Sequence, residues 1–154
     1  MTLRFVVNGE AVEVDARPDD MLRDVLNRLG FASVRETCGI GVCGACTVLV
    51  DGETVSGCLL LAPLADGREI TTVEGLGGDH PVQVAFADAH AFQCGYCTPG
   101  MVLAAARLLE ENPQPTEEEI RLGLAGNLCR CGSYMKIVEA VQLAAGRKEN
   151  AWTS

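Results

Sequence analysis

The sequence predicts an α+β chain: a small mixed sheet packed on one helix, followed by an all-helical half. Three observations predict it. Residues 1–73 carry two tight-turn signatures, Asn8-Gly9 and Asp51-Gly52, each flanked by strand-like segments. From Pro81 onward the apolar spacing is helical, with breakers and caps at its ends. Between them, Gly75 to His80 holds three glycines and no periodicity. The boundary is placed there, giving domains 1–76 and 77–154.

Each element has a local reason. Leu3 to Val7 is an apolar strand, and Glu10 to Val14 alternates and returns beside it. Asp19 or Asp20 is read as the cap of a helix whose Met21, Leu22, Val25, Leu26 and Leu29 share one face, with Gly30 ending it. Thr47 to Val50 and Glu53 to Val55 form the second hairpin, and Glu69 to Val73 is a closing strand. In the second half, Pro81 suits a helix start and the pattern continues to Phe92. A second helix runs from Pro99 to Glu111 and stops at Asn112-Pro113. Thr116 and Glu119 form a capping box for a third, read as reaching Asn127. Ser133 is read as the cap of a fourth, from Tyr134 to Ala145, closed by Gly146.

Composition narrows the function. The chain has 154 residues, enough for one ordinary domain or two small ones, and 48% of them are hydrophobic, so a folded core is expected. With 12 Lys+Arg against 21 Asp+Glu the formal charge is −9, which argues against a nucleic-acid partner. The longest uncharged stretch, Ala89 to Ala106, is interrupted by Gln93, Gly95, Pro99, Gly100 and two cysteines, so no membrane span is expected. Met1 to Glu10 does not read as a secretory signal, so a cytoplasmic location is expected. In that compartment thiols stay reduced, and the eight cysteines point to metal rather than disulfides.

The cysteines divide into two quartets. Cys38, Cys43, Cys46 and Cys58 follow C-x4-C-x2-C-x11-C, close to the plant-type spacing for a [2Fe–2S] cluster. The glycines of that loop, Gly39, Gly41 and Gly44, allow it to fold tightly and aim backbone N–H groups at sulfur. A zinc site is the alternative, but zinc sites use paired knuckles and only one half of this pattern matches. Cys94, Cys97, Cys129 and Cys131 follow C-x2-C-x31-C-x-C. Two antiparallel helices of roughly 20 Å each would return the second pair to the first. By spacing alone this second quartet is an unspecific metal site.

The residues around the quartets carry a resemblance. Glu36-Thr37-Cys38-Gly39-Ile40-Gly41-Val42-Cys43-Gly44-Ala45-Cys46-Thr47-Val48, Gln93-Cys94-Gly95-Tyr96-Cys97-Thr98-Pro99-Gly100 and Gly126-Asn127-Leu128-Cys129-Arg130-Cys131 resemble, in order, the cluster motifs of the small iron–sulfur subunit of molybdenum hydroxylases. That family includes xanthine dehydrogenase, carbon monoxide dehydrogenase and aldehyde oxidoreductase. One departure is Cys131-Gly132-Ser133-Tyr134, where the family usually reads Cys-Thr-Gly-Tyr.

The resemblance implies a β-grasp, plant-type ferredoxin-like domain and a four-helix domain, each with one [2Fe–2S] cluster held by its own quartet. It implies an electron-transfer subunit without a substrate-converting site of its own. Electrons would run from a molybdenum–pterin centre on a large subunit, through both clusters, to FAD on a medium subunit, which many family members have, or to another acceptor. The assembly is expected as a dimer of heterotrimers. The positions matching residues that approach the pterin are Gln93 and Cys131. A free-standing ferredoxin-type carrier is the alternative function.

Several other residues are open to two readings. His90 is read as a helix-face residue one turn before Cys94 or as a support for the cluster. Arg130 offsets cluster or pterin charge, or faces solvent. Tyr96 is a packing residue or a water shield. In the polar tail from Arg147 to Ser154, Trp152 is either disordered with its surroundings or a partner anchor.

Overall fold

The structure, a computed structural model, describes residues 1–152, with side chains through 146. Among the described residues there are a five-stranded mixed sheet and five α-helices. The strands are β1 (Thr2–Val7), β2 (Glu10–Asp15), β3 (Thr47–Val50), β4 (Glu53–Ser56) and β5 (Glu69–Thr71). Their order across the sheet is β2-β1-β5-β3-β4, with β1 and β5 parallel and the other pairs antiparallel. The helices are α1 (Leu22–Arg28), α2 (Pro81–Asp88), α3 (Thr98–Glu111), α4 (Glu117–Gly123) and α5 (Tyr134–Trp152).

The buried apolar residues form two clusters. In the first, Leu3, Phe5 and Val7 point inward at alternate positions of β1 and meet Leu22, Val25 and Leu26 of α1. In the second, Phe86 of α2, Met101 of α3, Ile120 of α4 and Ile137 and Val141 of α5 close on one another. All four residues of β3 are buried. Val48 and Val50 enter the first cluster, while the strand also lies against α3. A strand with helices on both sides has no polar face, which is why Thr47-Val48-Leu49-Val50 does not alternate.

Several expectations need correcting. Neither Asp19 nor Asp20 caps α1: its N-cap is Met21, with no side-chain bond. The Asp20 carboxylate instead accepts from the Arg17 amide at 3.0 Å and from Arg28 at 2.6 Å. Helix α2 ends at Asp88, not Phe92, because His90 turns left-handed at φ 51°. The helical spacing imagined between His90 and Cys94 therefore does not exist. Helix α4 ends at Gly123, short of Asn127, and β5 ends at Thr71. Helix α5 continues past Gly146. The Trp152 side chain, and with it the anchor reading, lies outside the described residues.

Other local readings hold. The Thr116–Glu119 capping box is formed, with the Glu119 amide donating to Thr116 Oγ1 at 3.2 Å and the Thr116 amide donating to Glu119 Oε2 at 2.6 Å. Asn8 and Asp51 take positive φ ahead of Gly9 and Gly52, as the hairpin turns require. The start of α2 has a cap that sequence reading missed: His80 Nδ1 accepts from the Val82 amide at 3.2 Å.

Candidate metal centres

The first quartet sits where α1, β3 and β4 meet. Cys38, Cys43 and Cys46 lie on the loop between α1 and β3, and Cys58 follows β4. The Cys58 segment is pinned to the start of α1, because the amides of Leu22 and Arg23 donate to the carbonyls of Leu60 and Gly57 at 2.8 and 2.9 Å. The Gly57 amide donates to the Cys46 carbonyl at 3.1 Å, which brings Cys46 and Cys58 side by side. Both are buried.

The loop turns its amides onto sulfur. The N–H groups of Ile40, Val42 and Cys43 approach Cys38 Sγ at 3.5, 3.4 and 3.4 Å. Ala45 donates to Cys43 Sγ at 3.5 Å and Cys58 to Cys46 Sγ at 3.4 Å. The expected glycine loop is thus present, but the donors belong to the residues between its glycines. Gly39 and Gly41 supply the left-handed turns, at φ 67° and 76°, that fold those amides inward. The three amides, Ile40 first, bring the Cys38 thiol down to about 6. Burial first, then the neighbouring Cys58, pushes Cys46 up to about 11. Nearly buried Arg23, paired with Asp24 at 2.6 Å and Glu36 at 3.3 Å, adds a cation near Cys58.

The second quartet sits at the open end of the α3–α4 hairpin, whose second helix is shorter than the spacing suggested. Cys94 and Cys97 precede α3, and Cys129 and Cys131 lie between α4 and α5. Cys94 lies next to Cys131, and Cys97 next to Cys129. The amides of Tyr96 and Ser133 approach Cys94 Sγ at 3.4 Å and Cys129 Sγ at 3.5 Å. Ser133, read as a helix cap, thus supports a sulfur through its amide while its carbonyl accepts from the Ile137 amide of α5 at 2.9 Å. Burial, then Cys129, pushes the Cys97 thiol up to about 12. Burial opposes ionisation of Cys129 as well, but the Ser133 amide and its other hydrogen bonds outweigh it and hold that thiol below its ordinary value. Gln93 Nε2 donates to the Cys131 carbonyl at 3.3 Å, which joins the two positions expected to approach a pterin.

These residues suit a sulfur-ligated binuclear centre. All eight cysteines are free thiols, and the N–H groups aimed at sulfur are the donors that coordinated thiolates need. Cys43, Cys94, Cys97 and Cys129 border one cavity of about 380 Å³. Among the described residues no three His, Cys, Asp or Glu side chains converge on a single-ion site. Four thiolates around two irons make a wider arrangement, with two on each iron.

The sequence matches the 2Fe-2S iron-sulfur cluster binding domain family over residues 5–73 and the [2Fe-2S] binding domain family over residues 72–142. It is 46% identical to the nicotinate dehydrogenase small FeS subunit of Eubacterium barkeri, covering 97% of this chain and 98% of that protein. The chain belongs to the small iron–sulfur subunit family of the molybdenum hydroxylases. The nicotine 6-hydroxylase small subunit of Paenarthrobacter nicotinovorans is 50% identical over 94% of this chain and 89% of that one. A chain of quinoline 2-oxidoreductase from Pseudomonas putida 86 superposes with a TM-score of 0.92 at 38% identity, over 97% of this chain and 96% of that one. In the aldehyde oxidoreductase of Desulfovibrio desulfuricans the same unit matches only 17% of a longer chain, with a TM-score of 0.92 at 41% identity over 97% of this chain. This iron–sulfur subunit is therefore an electron-transfer component with two [2Fe–2S] clusters, and it works with larger partners.

The structure also shows residues whose roles sequence reading did not assign. Tyr96 does not pack in a core: its hydroxyl donates to the Glu36 carbonyl, and the Arg35 guanidinium lies 5.0 Å from its ring centroid. Arg35 Nη1 donates to the carbonyls of Gly95 and Tyr96 at 2.7 and 2.9 Å. Asn127, buried, donates to Gly44 O at 3.1 Å and Thr47 Oγ1 at 3.2 Å. These bonds tie the two halves together beside their cysteines. Charge and size gave no hint of them, because each depends on a partner more than fifty residues away. Arg130 is exposed at the rim of the cysteine cavity.

Proposed function

We propose that each quartet is one cluster's complete ligand set. Cys38, Cys43, Cys46 and Cys58 would hold one [2Fe–2S] cluster, and Cys94, Cys97, Cys129 and Cys131 the other. The observation that carries this is that each set of four closes on itself and is supplied with its own N–H donors. The sheet order with its parallel β1–β5 pair supports a β-grasp domain, helices α2–α5 support a four-helix domain, and the two cores support a boundary near 76/77. Bound there, the clusters would supply one-electron steps between the molybdenum–pterin centre and FAD of the partner subunits.

The chain's own residues hold and insulate. Buried Cys46, Cys58 and Cys129 keep water from part of each site, and the loop amides offset thiolate charge. Gln93 and the Cys131 backbone form the surface that faces the pterin. The partners are a large molybdenum–pterin subunit and a medium FAD subunit in a dimer of heterotrimers. A cytoplasmic location is supported by the free thiols, and no helix among the described residues is long and apolar enough to cross a membrane.

Native purification tests the reading. The chain should arrive with larger chains that carry molybdenum and flavin, and separation should leave its iron with it. A lone iron-bearing chain of this mass would point instead to a free-standing carrier.

A further inference from the structure

We propose that Arg130 raises the reduction potential of the second cluster by presenting an unneutralised positive charge at the mouth of its cavity. The inference rests on the ligand sets proposed above. Arg130 stands between two ligands of the second set, Cys129 and Cys131. Its side chain borders the cavity of about 380 Å³ that Cys94, Cys97 and Cys129 also line. Among the described residues no carboxylate borders that cavity, and Arg130 is its one cationic side chain. The other described arginines and Lys136 each pair with a carboxylate, except Arg35, whose guanidinium holds the Gly95 and Tyr96 carbonyls. Arg130 has no such bond to any described residue, in a chain of formal charge −9. The first quartet is balanced differently: Arg23 lies near Cys58, but Asp24 and Glu36 neutralise it.

The backbone that carries Arg130 is held on both flanks. The Cys129 amide donates to the Tyr134 hydroxyl at 2.8 Å, and Gln93 Nε2 donates to the Cys131 carbonyl at 3.3 Å. The charge is therefore kept beside the sulfurs. Reduction adds one electron to the site; no bond forms or breaks, and the site gains one unit of negative charge. A nearby cation stabilises the more negative state more strongly, so the potential rises. Arg130 is exposed on this chain, where water and salt weaken the effect. A partner subunit seated over the cavity excludes that water and strengthens it. The consequence is a second cluster that accepts an electron from the molybdenum side more readily than its thiolates alone allow.

The test is a potentiometric titration of the holo complex, with each cluster followed by electron paramagnetic resonance. Arg130→Gln removes the charge, Arg130→Met is a second neutral variant, and Arg130→Lys keeps the charge. Arg121→Gln is the control, because it removes a positive charge on α4 that Glu117 already neutralises at 2.6 Å. The expected result is a second-cluster midpoint moved to more negative potential in the neutral variants, by more than any movement of the first cluster. Arg130→Lys and Arg121→Gln should stay close to the parent. An unmoved midpoint in the neutral variants would overturn the role of Arg130 and leave the ligand sets intact. So would an equal shift of both clusters, or the same shift in Arg130→Lys or Arg121→Gln. Loss of the second signal from both neutral variants would overturn it too, since an exposed tuning charge is not needed for assembly. A parent complex lacking a second [2Fe–2S] signal would overturn the ligand sets and this role with them.

Discussion

Replacing Gly100 with alanine sets two physical effects against each other. Gly100 lies in the first turn of α3, where alanine gains at most about 1 kcal/mol in helix propensity. The new methyl would collide with the backbone carbonyl of Gly44 and lie 3.2 Å from Asn127 Nδ2. A carbonyl on a pinned loop cannot rotate away, so the halves must part. Parting loses the Asn127–Gly44, Asn127–Thr47 and Leu128–Cys43 hydrogen bonds. At about 1 kcal/mol each they sum to about 3 kcal/mol, leaving a net loss of about 2 kcal/mol. Gly146→Ala is the matched control: it lies in α5, is exposed, and its Cβ would meet nothing within 4 Å. Urea unfolding of the iron-loaded chain, followed by circular dichroism and by visible cluster absorption, should show Gly100→Ala destabilised and Gly146→Ala unchanged or stabilised. Gly100→Ala as stable as the parent would refute the argument that the two halves meet backbone to backbone.

Two further predictions rest on single groups. Cys129→Ser should abolish one of two paramagnetic signals and leave the Cys38 cluster in place; loss of both, or of neither, would break the assignment of separate quartets. Burial disfavours a charged Glu74, but hydrogen bonds from Ser33 and Thr72 outweigh it and hold its carboxyl below the ordinary carboxylate range. The stability from that tether is present above the ordinary pKa and is lost as pH falls through the lower folded value. Acid should therefore loosen residues around Ser33, seen as faster amide exchange there, and Glu74→Gln should remove that pH dependence.

The sequence made the elements and the quartets legible because both are local or periodic. Alternation in β1, the two hairpin turns and the Thr116–Glu119 box each declare themselves within a few residues. The α3–α4 hairpin was legible from its Asn112-Pro113 stop and its capping box, but α4 is only half as long as α3, and the non-helical residues after Gly123 complete the return to the first pair. The ends of α2 and α4 were not, because apolar residues continue past the left-handed turn at His90 and the stop at Gly123. The cap of α1 was misread because Asp20 had a stronger use on Arg17 and Arg28. Ser133 keeps the place before α5 that its propensity suggested, and its amide also reaches a sulfur four residues back. The contacts that join the halves, Asn127 with Gly44 and Arg35 with Gly95, have no periodic signature and emerge only once the chain is folded.

The central claim is that this one chain carries two complete [2Fe–2S] centres, one in each half. Iron analysis with electron paramagnetic resonance of the dithionite-reduced native complex tests it most directly. The account predicts about four irons per small chain and two distinguishable signals. About two irons with one signal, or stoichiometric zinc in place of iron, would contradict it.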